Sequence, residues 1–333
     1  MDLPLPIRIL LWPWSWIYGI VARWRVYFYE RGLFKKKRLK AAVISVGNLT
    51  VGGTGKTPMV LYLAEKFLAE GKRVGILSRG YRGSADTSDE VELLKQRLGS
   101  RMKFGVGADR YAQGCKIEKE AAVDVFLLDD GFQHLQLARD VDIVLWDGSK
   151  KMQKQWLLPA GALREPISAI QRADILVVTR RIEKPAIEAT ESRKNSVFCA
   201  RTRLIGFRGL GQKETPSALG GLSTGPFLAF CGVGNPAAFF NDLKSWQIEP
   251  VETITFRDHH RYSQFDVSTL MAGARQVGAT AFITTEKDEQ NLRGLDFGDF
   301  HVYVAVIEFE LSPADEFHAE LERLLRERRG TSA

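Results

Sequence analysis

Between residues 42 and 179 the chain alternates short apolar runs with amphipathic stretches. The runs at 43–47, 73–78, 103–107, 124–129, 141–146 and 174–179 have the length of strands, and helical patterns lie between most of them. This alternation predicts a mainly parallel, doubly wound α/β sheet whose ligands sit at the carboxyl ends of its strands. Past about residue 200 the pattern changes. Residues 202–207 alternate weakly, 209–225 are rich in Gly, Ser, Thr and Pro, and a second α/β set opens with Phe227 to Gly232. Further strands are expected near 250–255, 280–284 and 301–307. Val306 to Leu311 reads as another alternating strand, expected to pair with 201–207 as a two-stranded link, and a last charged helix covers about 313–329. The expected organisation is an N-terminal segment (1–40), a main domain (41–205), a smaller α/β domain (206–310) and a C-terminal helix (311–333).

Residues 3–29 carry four of the seven tryptophans and are followed by Lys35-Lys36-Lys37-Arg38. Trp and Tyr favour the membrane–water interface, and a polybasic run favours anionic headgroups. An interfacial helix is expected in preference to a spanning one, because Arg8 and Pro13 interrupt the apolar run. A secretory signal is not expected, since the early basic region and small-residue cleavage site are missing. The competing reading is an aromatic helix packed on the protein's own core.

The run Ala42 to Asn48 leads into Leu49-Thr50-Val51-Gly52-Gly53-Thr54-Gly55-Lys56-Thr57 and then a helical pattern from about Pro58 to Glu70. A strand, a glycine-rich turn, Gly-Lys-Thr and a helix follow in the order a P-loop requires. Backbone N–H groups and the helix N-terminus would cradle phosphate, Lys56 would add a point charge, and Thr57 would offer its hydroxyl to Mg²⁺. Gly52, Gly53, Thr54, Gly55, Lys56 and Thr57 are therefore the candidate nucleotide-binding residues. Thr50 stands where the usual pattern has its first glycine. The fold class expected is α/β and P-loop NTPase-like, with a second, smaller α/β domain and an N-terminal interfacial helix.

Charge narrows the partners. The formal net charge is +7, yet residues 1–40 hold nine basic and two acidic side chains, while the other 293 residues hold 38 of each. A nucleic-acid-binding surface would be basic over the folded domain, so no nucleic-acid partner is expected; the basicity belongs to the membrane-directed segment 3–40. Cys115, Cys199 and Cys231 have no metal-ligand spacing, which argues for a reducing compartment and against disulfides or zinc.

Polar clusters fall at the predicted strand ends: Ser78-Arg79-Gly80-Tyr81-Arg82, Asp109-Arg110, Asp129-Asp130-Gly131-Phe132-Gln133-His134 and Arg164-Glu165-Pro166. An apolar strand ending in Asp129-Asp130, downstream of a P-loop, is a Walker B arrangement that would place carboxylate beside Mg²⁺. Val46-Gly47-Asn48-Leu49 with Gly52-Gly53-Thr54-Gly55-Lys56-Thr57, Leu77-Ser78-Arg79-Gly80-Tyr81, Asp129-Asp130-Gly131-Phe132-Gln133-His134, Leu158-Pro159-Ala160-Gly161 with Leu163-Arg164-Glu165-Pro166, Asp258-His259 and Thr285-Glu286-Lys287-Asp288 together resemble the tetraacyldisaccharide 4'-kinase family, the lipid A 4'-kinases. The resemblance runs in order over most of the chain, and that family carries Ser or Thr at the position of Thr50.

The resemblance implies transfer of the ATP γ-phosphate, with Mg²⁺, to the 4'-hydroxyl of a tetraacyl disaccharide 1-phosphate, giving lipid IVA at the cytoplasmic face of the bacterial inner membrane. It implies Asp89, in Ser88-Asp89-Glu90-Val91, as the acceptor base assisted by His259. The family's Gly and Pro around that Asp are replaced here, and Asp86 is the nearest alternative. Asp129, Asp130 and Glu165 match metal or substrate positions. Arg79, Arg110 and Arg164 are candidate phosphate cations, and Gln133 and His134 candidate substrate contacts. Apart from the resemblance, the residues leave open a membrane-associated P-loop NTPase acting as a partner-regulated switch, or a membrane-docked binding module whose nucleotide is structural.

Overall fold

The computed structural model of the chain describes residues 4–80, 89–150, 152, 155–180, 195–212 and 225–330. The chain divides into two compact units. Unit 1 comprises Met1–Thr87, Arg97–Arg201 and Phe309–Ala333, and unit 2 comprises Ser88–Gln96 and Thr202–Glu308.

Unit 1 contains β1 (Ala42–Asn48), β2 (Val74–Ser78), β3 (Lys103–Val106), β4 (Val125–Asp129), β5 (Val141–Asp147) and β6 (Ile175–Thr179), with the first part of β7 (Ser196–Gly209). Their order is β3-β2-β4-β1-β5-β6-β7, and every one of these pairings is parallel. Strands of such a sheet are covered on both faces, which is why β4 and β5 are buried at every position and read as continuous apolar runs. Helix α2 (Lys56–Ala69) buries Met59, Val60, Leu63, Ala64 and Phe67, a stripe at helical spacing. Helix α3 (Asp89–Leu98) begins in unit 2 and ends in unit 1, a departure from the expected boundaries. Helix α4 (Arg110–Glu120) is capped by Asp109, whose carboxylate accepts from Ala112 N at 3.0 Å.

Pro13 does not break the N-terminal helix. Helix α1 runs continuously over Leu5–Glu30, and it is long and apolar enough, by length and composition, to cross a membrane. Proline removes one ladder bond, and just beyond it Ser15 fixes the helix to its unit: Ser15 Oγ donates to Leu157 O at 3.0 Å and accepts from Ala160 N at 3.0 Å. The helix buries only Ser15 and Gly19, leaving Trp12, Trp14, Trp16 and Trp24 exposed.

In unit 2, β8 (Phe227–Cys231), β9 (Glu252–Thr255), β10 (Ala281–Thr285) and β11 (His301–Ser312) lie in the order β11-β10-β8-β9, again parallel. The two alternating runs read separately near 301–307 and 306–311 are one strand, β11. Helices α5 (Pro236–Ser245), α6 (Gln264–Val277) and α7 (Glu286–Leu292) accompany them, and Phe230, Phe282, Phe297, Val267 and Leu270 form the core. Helix α8 (Ala314–Arg329) packs in unit 1 through Phe317, Leu321 and Leu324.

Candidate active site

In unit 1 the phosphate loop is the exit of the central strand β1. Thr50 is buried and pairs with Leu163 across an isolated bridge, while Val51 N donates to Ala162 O at 2.8 Å and Arg164 N to Leu49 O at 2.7 Å. Residues 49–51 therefore run extended against 162–164. An extended, buried position suits a β-branched residue, which is the physical reason Thr50 replaces the usual glycine. Glycine becomes necessary further on: Gly52 and Gly55 have φ of +112° and +88°, and Gly55 is the N-cap of α2. Inside the turn, Asn48 Nδ2 donates to Thr54 Oγ1 at 2.8 Å, and Gln133 Nε2 donates to Asn48 O at 2.9 Å. Gly47 is fixed by close approach, since a Cβ there would sit 2.6 Å from Phe132 Cβ.

The Asp129-Asp130 turn follows β4, whose register places Asp129 beside Val46. Asp130 has φ +48° and accepts from Arg164 Nη1 at 2.7 and 2.9 Å, with Lys56 Nζ 3.6 Å away. Burial would raise the Asp130 carboxyl, but Lys56, Arg164 and Arg110 together hold it below the usual carboxylate range. Arg110 is buried; Nη2 donates to Asp129 O at 3.4 Å, and Nε has no hydrogen-bond partner among the described residues. Burial lowers its affinity for a proton, with the two aspartates opposing.

The sequence candidates thus separate. Lys56, Asp130 and Arg164 converge, and Arg110 stands beside Asp129. Gln133 supports the loop backbone. His134 is pushed down to about 4, first by burial and then by Arg110 and Arg139, so it is neutral at physiological pH. Arg79 is exposed after β2. The Glu165 carboxylate pairs with Arg172 Nη2 at 2.6 Å, and Arg172 in turn covers the Phe132 ring. Among the described residues no three His, Cys, Asp or Glu side chains are grouped to hold a metal. Asp86 lies outside the described residues.

Unit 2 carries the second cluster. His259 Nδ1 is 3.0 Å from Asp89 Oδ2, and its backbone adopts φ +59°, a conformation costly for a non-glycine residue. Its own N–H donates to Gly232 O at 3.2 Å. The bond to Asp89 raises His259 above the ordinary imidazole value, against burial and the charge of Lys287. Burial would raise Asp89, yet its hydrogen bond with His259 and that from Asn291 bring it below the ordinary carboxylate range. Asp258 and Lys287 stand in the sequence motifs without an assigned role. In the structure Lys287 Nζ lies 3.0 Å from Asp258 Oδ1, 3.5 Å from Glu90 Oε1 and 3.4 Å from His259 Nε2. Their signal was the Asp-His and Thr-Glu-Lys-Asp spacing.

A parallel α/β sheet whose central strand feeds a glycine-rich turn and a helix beginning Lys56-Thr57, beside an acid-tipped strand, defines a P-loop nucleotide-binding protein. Its family is also defined: the tetraacyldisaccharide-1-P 4'-kinase (LpxK) model matches residues 7–326, and the chain belongs to that family. Tetraacyldisaccharide 4'-kinase of Geobacter metallireducens is 38% identical over 330 residues, covering 92% of this chain and 95% of that protein. The kinase of Halothermothrix orenii is 35% identical over 336 residues, covering 89% and 86%. Among solved structures, LpxK from Aquifex aeolicus in complex with ATP is similar with a TM-score of 0.74 and 31% identity, covering 96% of this chain and 99% of that one.

Proposed function

We propose that this chain transfers the γ-phosphate of ATP to the 4'-hydroxyl of tetraacyldisaccharide 1-phosphate, forming lipid IVA, and that it works at the cytoplasmic face of the inner membrane. The observation that carries the reading is the Asp89–His259 pair, a carboxylate oriented by an imidazole, as a sugar hydroxyl requires for activation. In this reading the hydroxyl proton passes to Asp89 as the oxygen forms its bond to the γ-phosphorus, and the bond from that phosphorus to the ADP oxygen breaks. His259 keeps Asp89 oriented through the Nδ1 contact.

In unit 1 the N–H groups of Gly52 to Thr57, the N-terminus of α2 and Lys56 hold the β- and γ-phosphates. Arg110, with a buried Nε lacking a described partner, and Arg164 meet the charge that develops on them. Arg79, Gln133 and His134 complete the proposed phosphate and substrate side. The donor set of Thr57, Asp129 and Asp130 is hydroxyl and carboxylate oxygen, which suits a hard cation that keeps waters and phosphate oxygens as its other ligands. When bound, Mg²⁺ would neutralise the phosphate oxygens. Glu165, paired with Arg172, is the further carboxylate proposed near this set.

Membrane association falls to α1 and the run Lys35–Arg38. The exposed tryptophans and the basic run fit an interfacial or monotopic placement on anionic lipid.

The deciding experiment supplies ATP labelled in its γ-phosphate and tetraacyldisaccharide 1-phosphate in detergent micelles. Label is expected in lipid IVA; a folded protein that leaves all label in ATP or inorganic phosphate would refute the proposal.

A further inference from the structure

Three carboxylates surround the His259 imidazole in unit 2. Asp89 Oδ2 is 3.0 Å from Nδ1, while Glu90 Oε1 and Asp258 Oδ2 are each 3.9 Å from Nε2. Left unopposed, they would hold the ring as an imidazolium. An imidazolium beside Asp89 draws the carboxylate into an ion pair and weakens it as a base. Lys287, whose side chain is 19% exposed, is the cation set against these carboxylates. It reaches Asp258 at 3.0 Å, Glu90 at 3.5 Å and the ring Nε2 itself at 3.4 Å.

That last contact fixes a proton. An ammonium has donors and no lone pair, so the ring nitrogen facing it must be an acceptor. With Nε2 unprotonated, the neutral ring carries its hydrogen on Nδ1, where it donates to Asp89. The group opposite each ring nitrogen thereby selects the tautomer.

Lys287 is held in place from both sides along α7. Glu286 lies 3.5 Å from Arg208, which is also bonded to both oxygens of Glu289 at 2.5 Å. Asp288 accepts from Gly232 N at 2.8 Å and from Tyr262 Oη at 2.9 Å. Gln96 on α3 donates to Glu289 at 3.3 Å and accepts from Gln290, so this short helix also fixes the helix that begins with Asp89. The neighbouring His260 is turned to Asp266 at 3.2 Å and does not enter the group.

We propose that Lys287 is a positioning residue that favours the neutral, Nδ1–H form of His259, so that Asp89, not His259, receives the acceptor's proton. The inference rests on the kinase reading for its consequence but not for its geometry. Lys287 offsets Glu90 and Asp258 and presents a donor to Nε2; without it both carboxylates turn their charge on the ring.

The test uses the full chain labelled with nitrogen-15 histidine. In the wild type, neutral His259 is expected to show a protonated Nδ1 and an unprotonated Nε2. In Lys287→Met its titration midpoint is expected to rise by about one pH unit. The acid limb of kcat/KM should move upward by the same interval, with kcat on the alkaline side falling less than roughly threefold. Lys287→Arg, which restores the cation, should return both midpoint and limb toward the wild type. The His318 midpoint in unit 1 reports an intact fold, and Lys287→Gln replaces the Met variant if that chain does not fold. An Nε2–H tautomer in the wild type, or a His259 midpoint that stays or falls in folded Lys287→Met or Lys287→Gln, overturns the proposal. A wild type with the expected tautomer but no lipid phosphorylation would overturn the kinase reading alone, because the spectra need no turnover.

Discussion

Asn48 and Thr54 hold the phosphate loop shut from within: the Asn48 amide donates to Thr54 Oγ1 at 2.8 Å, and both side chains are buried. The bond spans six residues across a turn whose glycines leave it little intrinsic rigidity. Asn48→Ala strands the Thr54 hydroxyl and opens a small cavity. Thermal or denaturant unfolding should show a loss of about 1–3 kcal/mol. KM for ATP should rise on the order of tenfold, as the N–H groups lose their common aim. An unchanged KM with lowered stability would show the bond to be structural only.

Lys56 is 3.6 Å from Asp130, and Arg164 already holds both oxygens of that carboxylate. Lys56→Ala should therefore leave the fold nearly as stable, because Asp130 keeps a charged partner. Phosphoryl transfer should fall by at least about 10²–10³, the usual effect of removing one preorganised charge from a transition state. Arg164→Ala should lower transfer as well and, unlike Lys56→Ala, should also cost stability, because the half-buried Asp130 loses the guanidinium that holds both its oxygens. Measuring unfolding and initial rates on the same two preparations separates these patterns.

The Asp89–His259 pair makes the stability of unit 2 depend on pH with two signs. Asp89 is held below its ordinary value, so its contribution is complete above an unfolded value of about 4 and disappears as pH falls through the folded one. His259 is raised, so its contribution is complete below an unfolded value of about 6.5 and is lost as pH rises through the folded one. The pair is therefore most stabilising between about pH 4 and 6.5. Asp89→Asn should flatten both flanks of the stability curve and reduce kcat by about 10²–10⁴. Urea melts from pH 3 to 9 on wild type and variant would show the flanks directly; flanks that persist in Asp89→Asn would assign them to other groups.

How far the sequence carries this picture depends on whether local pattern or tertiary contact decides a feature. The runs ending at Asn48, Ser78 and Asp129 are legible because strands buried on both faces have no polar alternation to confuse them. Gly-Lys-Thr is legible because the loop's chemistry is local. The continuity of α1 through Pro13 is not legible locally, since a single missing N–H is tolerated when Ser15 ties the following turn to Leu157 and Ala160. The Glu165–Arg172 pair is not legible, because nothing in Arg-Glu-Pro announces that neighbour in space. The role of Lys287 is not legible for the same reason: its partners come from residues 90, 258 and 259. Residues 88–96, expected within one uninterrupted domain, belong to unit 2 because α3 brings Asp89 to His259 and Gln96 to Glu289.

Exposed aromatic surface on α1 leads to a membrane prediction. Trp12, Trp14 and Trp16 are 58%, 65% and 62% exposed, whereas Ser15 and Gly19 face the unit. Replacing Trp14 and Trp16 by Ala should leave unfolding unchanged and weaken sedimentation with liposomes of anionic lipid. Changing Lys35, Lys36, Lys37 and Arg38 to Gln should instead remove the salt-sensitive part of binding, about 1 kcal/mol per charge near the surface. Binding that survives both sets would refute the assignment of membrane contact to residues 3–40.

Asp140 gathers both ends of unit 1. Its buried carboxylate accepts from Val43 N at 2.8 Å, from Arg38 at 2.6 Å and from Arg329 at 2.7 Å, joining β1 to the basic segment and to the end of α8. Arg329 also donates to the carbonyls of Lys40 and Ala41. Burial would raise Asp140, but the Arg329 bond and the Val43 N–H hold it below the ordinary carboxylate range. Its stabilisation is thus complete above about pH 4 and lost as pH falls through the folded value. Asp140→Ala leaves the Val43 N–H and two guanidinium groups without their shared acceptor, and should cost on the order of 3–5 kcal/mol. Asp140→Asn keeps the shape and one oxygen acceptor, so a smaller loss is expected. Because the residue lies at the start of the β1 environment and not at the phosphate loop, KM for ATP should stay within about twofold in whatever fraction remains folded. A raised KM at full folding would instead mean that Asp140 sets the position of β1, and through it of Lys56.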